Sequence, residues 1–292
     1  LNQRRYPNNV TLFRKAVAYA INKTEIIEVA FGGLGVEAPP SCSTPFGQFY
    51  EPNIPKYPYN PSKANEILDN LGWSKGDDGI RVTPNGTKLS FTINCIYNPR
   101  VLALVRLIRD YVAAIGVELI IQPLDWGVLW EKMTVTYDYD WVYAGWYNFA
   151  QHIDPNWAYW LFNNESYWGT VNVPGWNNDT LNKLTDQIMH EVNRTVQKEL
   201  LSEVQKIIAD QLPYIPILFF SAMDCYRIDK FAGWIMSNGT SADNWQTWLN
   251  IHLISSEEIP FRPTTYNYMT WSMMIVLVAL VVVGFVKLRK TE

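Results

Sequence analysis

The chain has 292 residues, of which 48% are hydrophobic and 18% charged, with a formal net charge of −4. That length and balance allow one large core or two modest ones and exclude a disordered or low-complexity chain. The small, dispersed charge with no basic stripe argues against nucleic acid as a partner.

Residues 10–21 (VTLFRKAVAYAI) carry apolar positions at helical spacing, and TEIIEVAF resumes after a break. Gly32, Gly33 and Gly35 follow a helix rather than a strand. They therefore read as a helix end opening a Pro-rich loop to Pro39 and Pro40, not as a dinucleotide-binding turn. Residues 60–73 (NPSKANEILDNLGW) form a helix with Pro in its first turn and Gly near its end. Residues 79–97 read as two strands around the turn Pro84-Asn85-Gly86. A helix over 99–116, a strand over 117–124, a helix over 125–133 and a strand over 140–146 follow. This β-α-β-α-β order implies an α/β lobe with parallel strands. Asp154-Pro155 reads as a helix N-cap with Pro at the next position. Two more helices occupy roughly 178–192 and 194–211. PYIPILFF (213–220) reads as a buried strand, with short strands continuing to about residue 254 and a polar stalk over 255–267.

From Met269 to Val286 the chain carries no charge. A helix of that length rises about 27 Å, close to the thickness of a bilayer's hydrocarbon core. Tyr266, Tyr268 and Trp271 stand at one end and Lys287, Arg289 and Lys290 at the other. The expectation is a single transmembrane helix over 268–288, with a cytoplasmic tail at 289–292 and everything earlier outside the cell. Asn-X-Ser/Thr sequons at Asn9, Asn22, Asn85, Asn164, Asn178, Asn193 and Asn238 exceed what chance supplies, which points to a glycosylated outer surface and an archaeal cell surface. Cys42, Cys95 and Cys225 are too few for a disulfide scaffold, and an odd number leaves one unpaired within the chain.

Ligands of open α/β sheets bind outside the carboxyl ends of the strands. Those ends carry Tyr97-Asn98, Asp125-Trp126 and Trp146-Tyr147-Asn148. Each offers a ring with a short polar side chain beside it, the composition of a mostly apolar pocket with a few orienting hydrogen bonds. With 13 Trp and 17 Tyr in the chain, rings serve the core and ligand stacking alike. No catalytic constellation, metal-ligand spacing or cofactor motif occurs. His152, His190 and His252 are far apart, and Asp138 and Asp140 read as solvated charges rather than a glycosidase pair.

Five segments in order resemble one family: LFRKAVAYAINKTEIIEVAFGGLGVEAPPSCSTPFG, YNPSKANEILDNLGW, IGVELIIQPLDWGVLWEKM with YDYDWVYAGW, VPGWNNDTLNKLTDQI, and LPYIPILFF. They are similar to the extracellular solute-binding proteins of oligopeptide, dipeptide, nickel and oligosaccharide ABC importers. The resemblance implies a periplasmic-binding-protein-like α/β fold with a mostly parallel sheet, closing on a ligand without catalysis or cofactor. Residues 1–212 would then be the second ligand-binding lobe and 213–254 a segment completing a first lobe whose greater part precedes Leu1. It also implies ABC importer permease subunits as partners. Peptide-binding members follow Gly-Trp with x-Ala-Asp, whereas Gly145-Trp146 is followed by Tyr147, Asn148 and Phe149. Phe149 thus stands where an ammonium-pairing Asp would be. The expected ligand is an oligosaccharide rather than a peptide, bound by Tyr97, Asn98, Trp126, Trp146, Tyr147, Asn148 and Phe149. The alternatives are a peptide receptor and a ligand-free surface protein on the same fold.

Overall fold

The computed structural model describes residues 1–145, 154–163, 172–221, 224–236 and 242–254. They belong to two compact units that divide after Ser221. The first opens with α1 (Thr11–Ala20), α2 (Lys23–Phe31), β1 (Gly35–Glu37), α3 (Pro61–Asn70), β2 (Ser74–Lys75), β3 (Arg81–Val82) and β4 (Ser90–Ile96). It continues with α4 (Pro99–Ala114), β5 (Glu118–Leu124), α5 (Trp126–Thr134), β6 (Trp141–Val142), α6 (Trp157–Phe162), α7 (Asp179–His190), α8 (Arg194–Gln211) and β7 (Leu218–Phe220). The second unit holds β8 (Phe231–Ala232), α9 (Trp245–Asn250) and β9 (His252–Leu253), with β8 and β9 paired antiparallel.

The central sheet is wholly parallel in the order β5-β4-β6. β4 runs in register with β5 from Ser90 opposite Glu118 to Ile96 opposite Leu124, and Ile93 lies opposite Trp141. Phe91, Ile93 and Cys95 alternate onto one face of β4, as a period of two requires, and all three are buried. Against them packs α4, whose Leu104, Val105, Ile108 and Val112 recur at helical spacing and are buried in the same core. Each such side chain contributes about 1.5–3 kcal/mol by leaving water. Phe13 of α1 joins this core among Trp73, Phe91 and Trp141, and the last two rings stack at 5.4 Å. A second core lies among α6, α7 and α8, centred on Trp157, Phe162 and Trp176.

Two buried arginines join helix ends. Arg14 is 1% exposed and donates to the carbonyls of Asn8 (2.9 Å), Gln211 (2.7 Å) and Leu212 (3.0 Å), so α1 closes the carboxyl end of α8. Burial pushes its pKa down to about 10, and no described carboxylate pairs with it. Arg81 donates to the carbonyls of Ile115 and Trp73 and to the side chains of Asn65 and Asp69, tying α3 to the end of α4. Gly116 sits beside it at φ +81°, where a Cβ would stand 2.7 Å from Arg81 Cγ.

Several sequence expectations change here. Gly35 opens a short strand rather than a loop, because β1 pairs antiparallel with β7. The strand expected over 213–220 shrinks to Leu218–Phe220, since Pro213 and Pro216 cannot donate to a ladder, and Phe220 is exposed rather than buried. The strand expected over 140–146 is two residues long in the described chain. Asp154 is not the cap of a helix. Its Oδ1 accepts from the Asn156 amide one turn earlier, and α6 begins at Trp157. Asp138 and Asp140 are not merely solvated. Arg5 bridges them at 2.7 and 2.8 Å, and Lys132 reaches Asp138 at 3.1 Å. Arg5 first and Lys132 second hold the Asp138 carboxyl below the usual carboxylate range. All three cysteines are free thiols.

The expected stalk at 255–267, membrane helix at 268–288 and tail at 289–292 lie outside the described residues. Among the described residues no helix is long and apolar enough to cross a membrane.

Candidate binding edge

Because β4, β5 and β6 are parallel, their carboxyl ends share one edge of the sheet. β4 delivers Tyr97 and Asn98 there, β5 delivers Asp125 and Trp126, and β6 leads to Tyr143, Ala144 and Gly145. Tyr97 is 80% exposed and Trp126 51% exposed. One helical turn after Trp126, Trp130 is 39% exposed, and the two indoles lie 5.7 Å apart with their planes tilted by 41°.

The ledge is rigid from below. Leu129 and Met133 turn one side of α5 into a small core with Tyr139 and Val173, backed by Ile96, Leu124, Val142 and Ala144. The i, i+4 pair Trp126 and Trp130 lies on the flank adjoining that buried side and stays open to solvent. Asp125 starts the helix, its Oδ1 accepting the Gly127 amide at 2.8 Å. Asn98 does the same for α4, accepting from the Arg100 and Val101 amides at 2.9 and 3.3 Å. Its carboxamide oxygen is therefore committed to the helix, and the NH2 group is what it can offer a ligand. Gly145 is exposed, and an added Cβ there would meet no described atom within 4 Å.

A brace behind the sheet sets the relation between α5 and β6. Lys132 of α5 donates to the carbonyl and carboxylate of Asp138, Arg5 joins Asp138 to Asp140, and Asp140 Oδ2 accepts the Thr92 amide of β4. Buried Asn2 adds bonds to the carbonyls of Tyr137 and Tyr139.

Tyr97, Asn98 and Trp126 thus meet at one edge, and Trp146, Tyr147, Asn148 and Phe149 lie outside the described residues. Trp130 was not anticipated. Its signal was the four-residue spacing from Trp126 on a helix that starts at a strand's carboxyl end. A separate concavity of about 420 Å3 lies elsewhere; its described lining is Asp154, Pro155, Asn156, Val192, Arg194 and Gln197, none of them aromatic. Among the described residues no His, Cys, Asp and Glu cluster could hold a metal ion.

Residues 1–170 match the family model described as bacterial extracellular solute-binding proteins, family 5 Middle. The chain belongs to this family. It is 27% identical over 205 residues to a dipeptide-binding protein of Pseudomonas aeruginosa, covering 70% of this chain and 36% of that one. Its fold matches that of the oligopeptide-binding protein AppA of Bacillus subtilis in complex with a nonapeptide. There the TM-score is 0.74 and the identity 22%, over 87% of this chain and 49% of that one. A mannohexaose-bound periplasmic oligopeptide-binding protein of Thermotoga maritima matches with a TM-score of 0.73 and 22% identity, over 87% and 51% of the two chains. The family 5 chain described here therefore spans about a third of that curated relative and about half of those solved structures. The α/β periplasmic-binding-protein fold expected from the sequence is the one observed, and the relatives named are binding proteins rather than enzymes.

Proposed function

We propose that the chain is part of an extracellular solute receptor that delivers a small ligand to an ABC importer. The observation that carries this reading is the common edge of three parallel strands, where Tyr97, Trp126 and Trp130 present exposed rings on a rigid base. Such a ledge suits the flat faces of a neutral, polyhydroxylated ligand, and an oligosaccharide is favoured over a peptide. Support comes from Phe149, which stands where resemblance to peptide-binding members calls for a carboxylate. An ammonium buried without a partner costs several kcal/mol. The mannohexaose-bound structure shows that this fold accepts such a ligand in one protein. The peptide reading has its own support in the names of the dipeptide- and oligopeptide-binding relatives.

The same reading takes residues 213–254 as completing another lobe, residues 268–288 as a single membrane helix and the tail as cytoplasmic, so that the receptor stays beside its permease. Its support is the uncharged run Met269–Val286 with Lys287, Arg289 and Lys290 behind it.

The deciding experiment is tryptophan-fluorescence and calorimetric titration with neutral di- to hexasaccharides and with a matched set of free-amine and N-acetylated peptides. Saturable sugar binding that is lost in Trp126→Ala supports the proposal. Tight binding of free-amine peptides, lost on N-acetylation, replaces it with the peptide reading. No saturable response to any pool leaves a ligand-free surface protein.

A further inference from the structure

The sequons are not equivalent once folded. Asn22, Asn178 and Asn193 are helix N-caps whose Oδ1 accepts a backbone amide of α2, α7 or α8. At Asn22 the third residue of the sequon, Thr24, gives its hydroxyl to Glu37, and the middle residue Lys23 is buried. At Asn9 the third residue, Thr11, receives Arg14 and faces Gln211. Asn164 and Asn238 lie outside the described residues.

Asn85 differs. It is exposed at the tip of the turn between β3 and β4, followed by Gly86 at φ +87°. Thr87, the hydroxyl residue of the same sequon, donates both its Oγ1 (2.8 Å) and its amide (3.2 Å) to Asn85 Oδ1, and the Thr83 hydroxyl adds a third bond at 2.5 Å. Among the described sequons this is the one whose own hydroxyl reaches its own carboxamide. Donors converging on Oδ1 favour the form of the amide with negative charge on oxygen and acidify the Nδ2 protons. No described group accepts from Nδ2, which is left toward solvent.

We infer that Asn85 is an N-glycan acceptor in the folded protein, its co-reactant an oligosaccharide carried on a lipid phosphate. In the transfer, Nδ2 loses a proton to a base of the transferase and bonds to the sugar C1. The bond from C1 to the carrier's phosphate oxygen breaks, and the lipid phosphate leaves as an anion. The turn precedes β4, whereas Tyr97 follows it. A seven-residue strand separates them by about 23 Å at ~3.3 Å per residue, so the glycan stands at the edge opposite the exposed rings. The inference rests on the outward location that goes with the proposed receptor, and its test does not use ligand binding.

The test is intact-glycopeptide mass spectrometry of the full chain purified from its native host. Sugar-derived fragment ions are the readout, since an Asn-Gly pair deamidates unaided and a one-dalton shift means nothing here. The expected result is a glycan on the Asn85 peptide, retained in Thr87→Ser, absent in Thr87→Val, with higher occupancy than at Asn22, Asn178 or Asn193. A bare Asn85, a glycan that survives Thr87→Val, or higher occupancy at the helix caps would overturn it.

Discussion

Arg14 offers the sharpest test of how the first unit is held together. Arg14→Met keeps the aliphatic bulk but removes every donor, leaving the carbonyls of Asn8, Gln211 and Leu212 without the guanidinium. Each buried acceptor left unpaired costs about 1–3 kcal/mol. Removing a buried cation that has no carboxylate partner returns part of that loss. The balance is a destabilisation of about 3 kcal/mol. At roughly 2–4 °C per kcal/mol for a domain of this size, the melting temperature falls by roughly 6–12 °C. Chemical denaturation followed by far-UV circular dichroism reads the first number and calorimetry the second. Arg14→Lys should fall between wild type and Met, because one compact ammonium reaches fewer of the three carbonyls. A loss below ~0.5 kcal/mol for Arg14→Met would show that α8's carboxyl end does not depend on this residue.

Tyr97→Ala and Trp126→Ala should weaken ligand binding by about 1–3 kcal/mol while moving the melting temperature by no more than ~1 °C, because both rings are exposed. Loss of stability without loss of affinity would return them to a packing role. Burial pushes the Lys23 ammonium down to about 8, so between pH 8 and 10.5 the unfolded chain holds a proton the folded chain has released. Wild-type stability relative to Lys23→Met should therefore rise by about 3 kcal/mol across that window, and a flat difference would refute it. Cys225 is exposed, whereas burial raises the thiol pKa of Cys95 and pushes that of Cys42 up to about 12. An alkylating reagent should modify one thiol in the native chain and three in denaturant. Gly116→Ala forces a side chain onto φ +81° and into Arg81, and urea titration should show a loss of about 1–3 kcal/mol.

The parallel sheet was legible because the strand-helix alternation read from residue 79 to 146 leaves few other arrangements. The strand ends then pointed to Tyr97 and Trp126 before any contact was known. The start of α3 was legible from Pro61, since Pro at the first helical position repeats a known preference, although Asn60 proves to be its cap rather than part of the helix. What escaped depends on partners distant in sequence. β1 exists because Leu218–Phe220 lies beside it, and its own Gly-Val-Glu carries no strand signal. Asp138 and Asp140 looked solvated because Arg5, 133 and 135 residues away, carries no mark of its role. The tryptophans divided in a way composition could not reveal. Trp73, Trp141, Trp157 and Trp176 pack in cores, while Trp126 and Trp130 face outward. Trp126, Leu129, Trp130 and Met133 share one i, i+3, i+4, i+7 stripe, so spacing could not tell which of the four are buried.

Six of the described helices, α2, α3, α4, α7, α8 and α9, begin on an asparagine side chain that accepts a backbone amide. A carboxamide keeps its acceptor at any acidity, so these helix starts survive conditions that protonate aspartate caps and fray the turns behind them. Of the other three described helices, α5 starts on Asp125, and α1 and α6 start without a side-chain cap. The helix that carries Trp126 and Trp130 is thus the one begun by a carboxylate, the group that suits a helix's amino end.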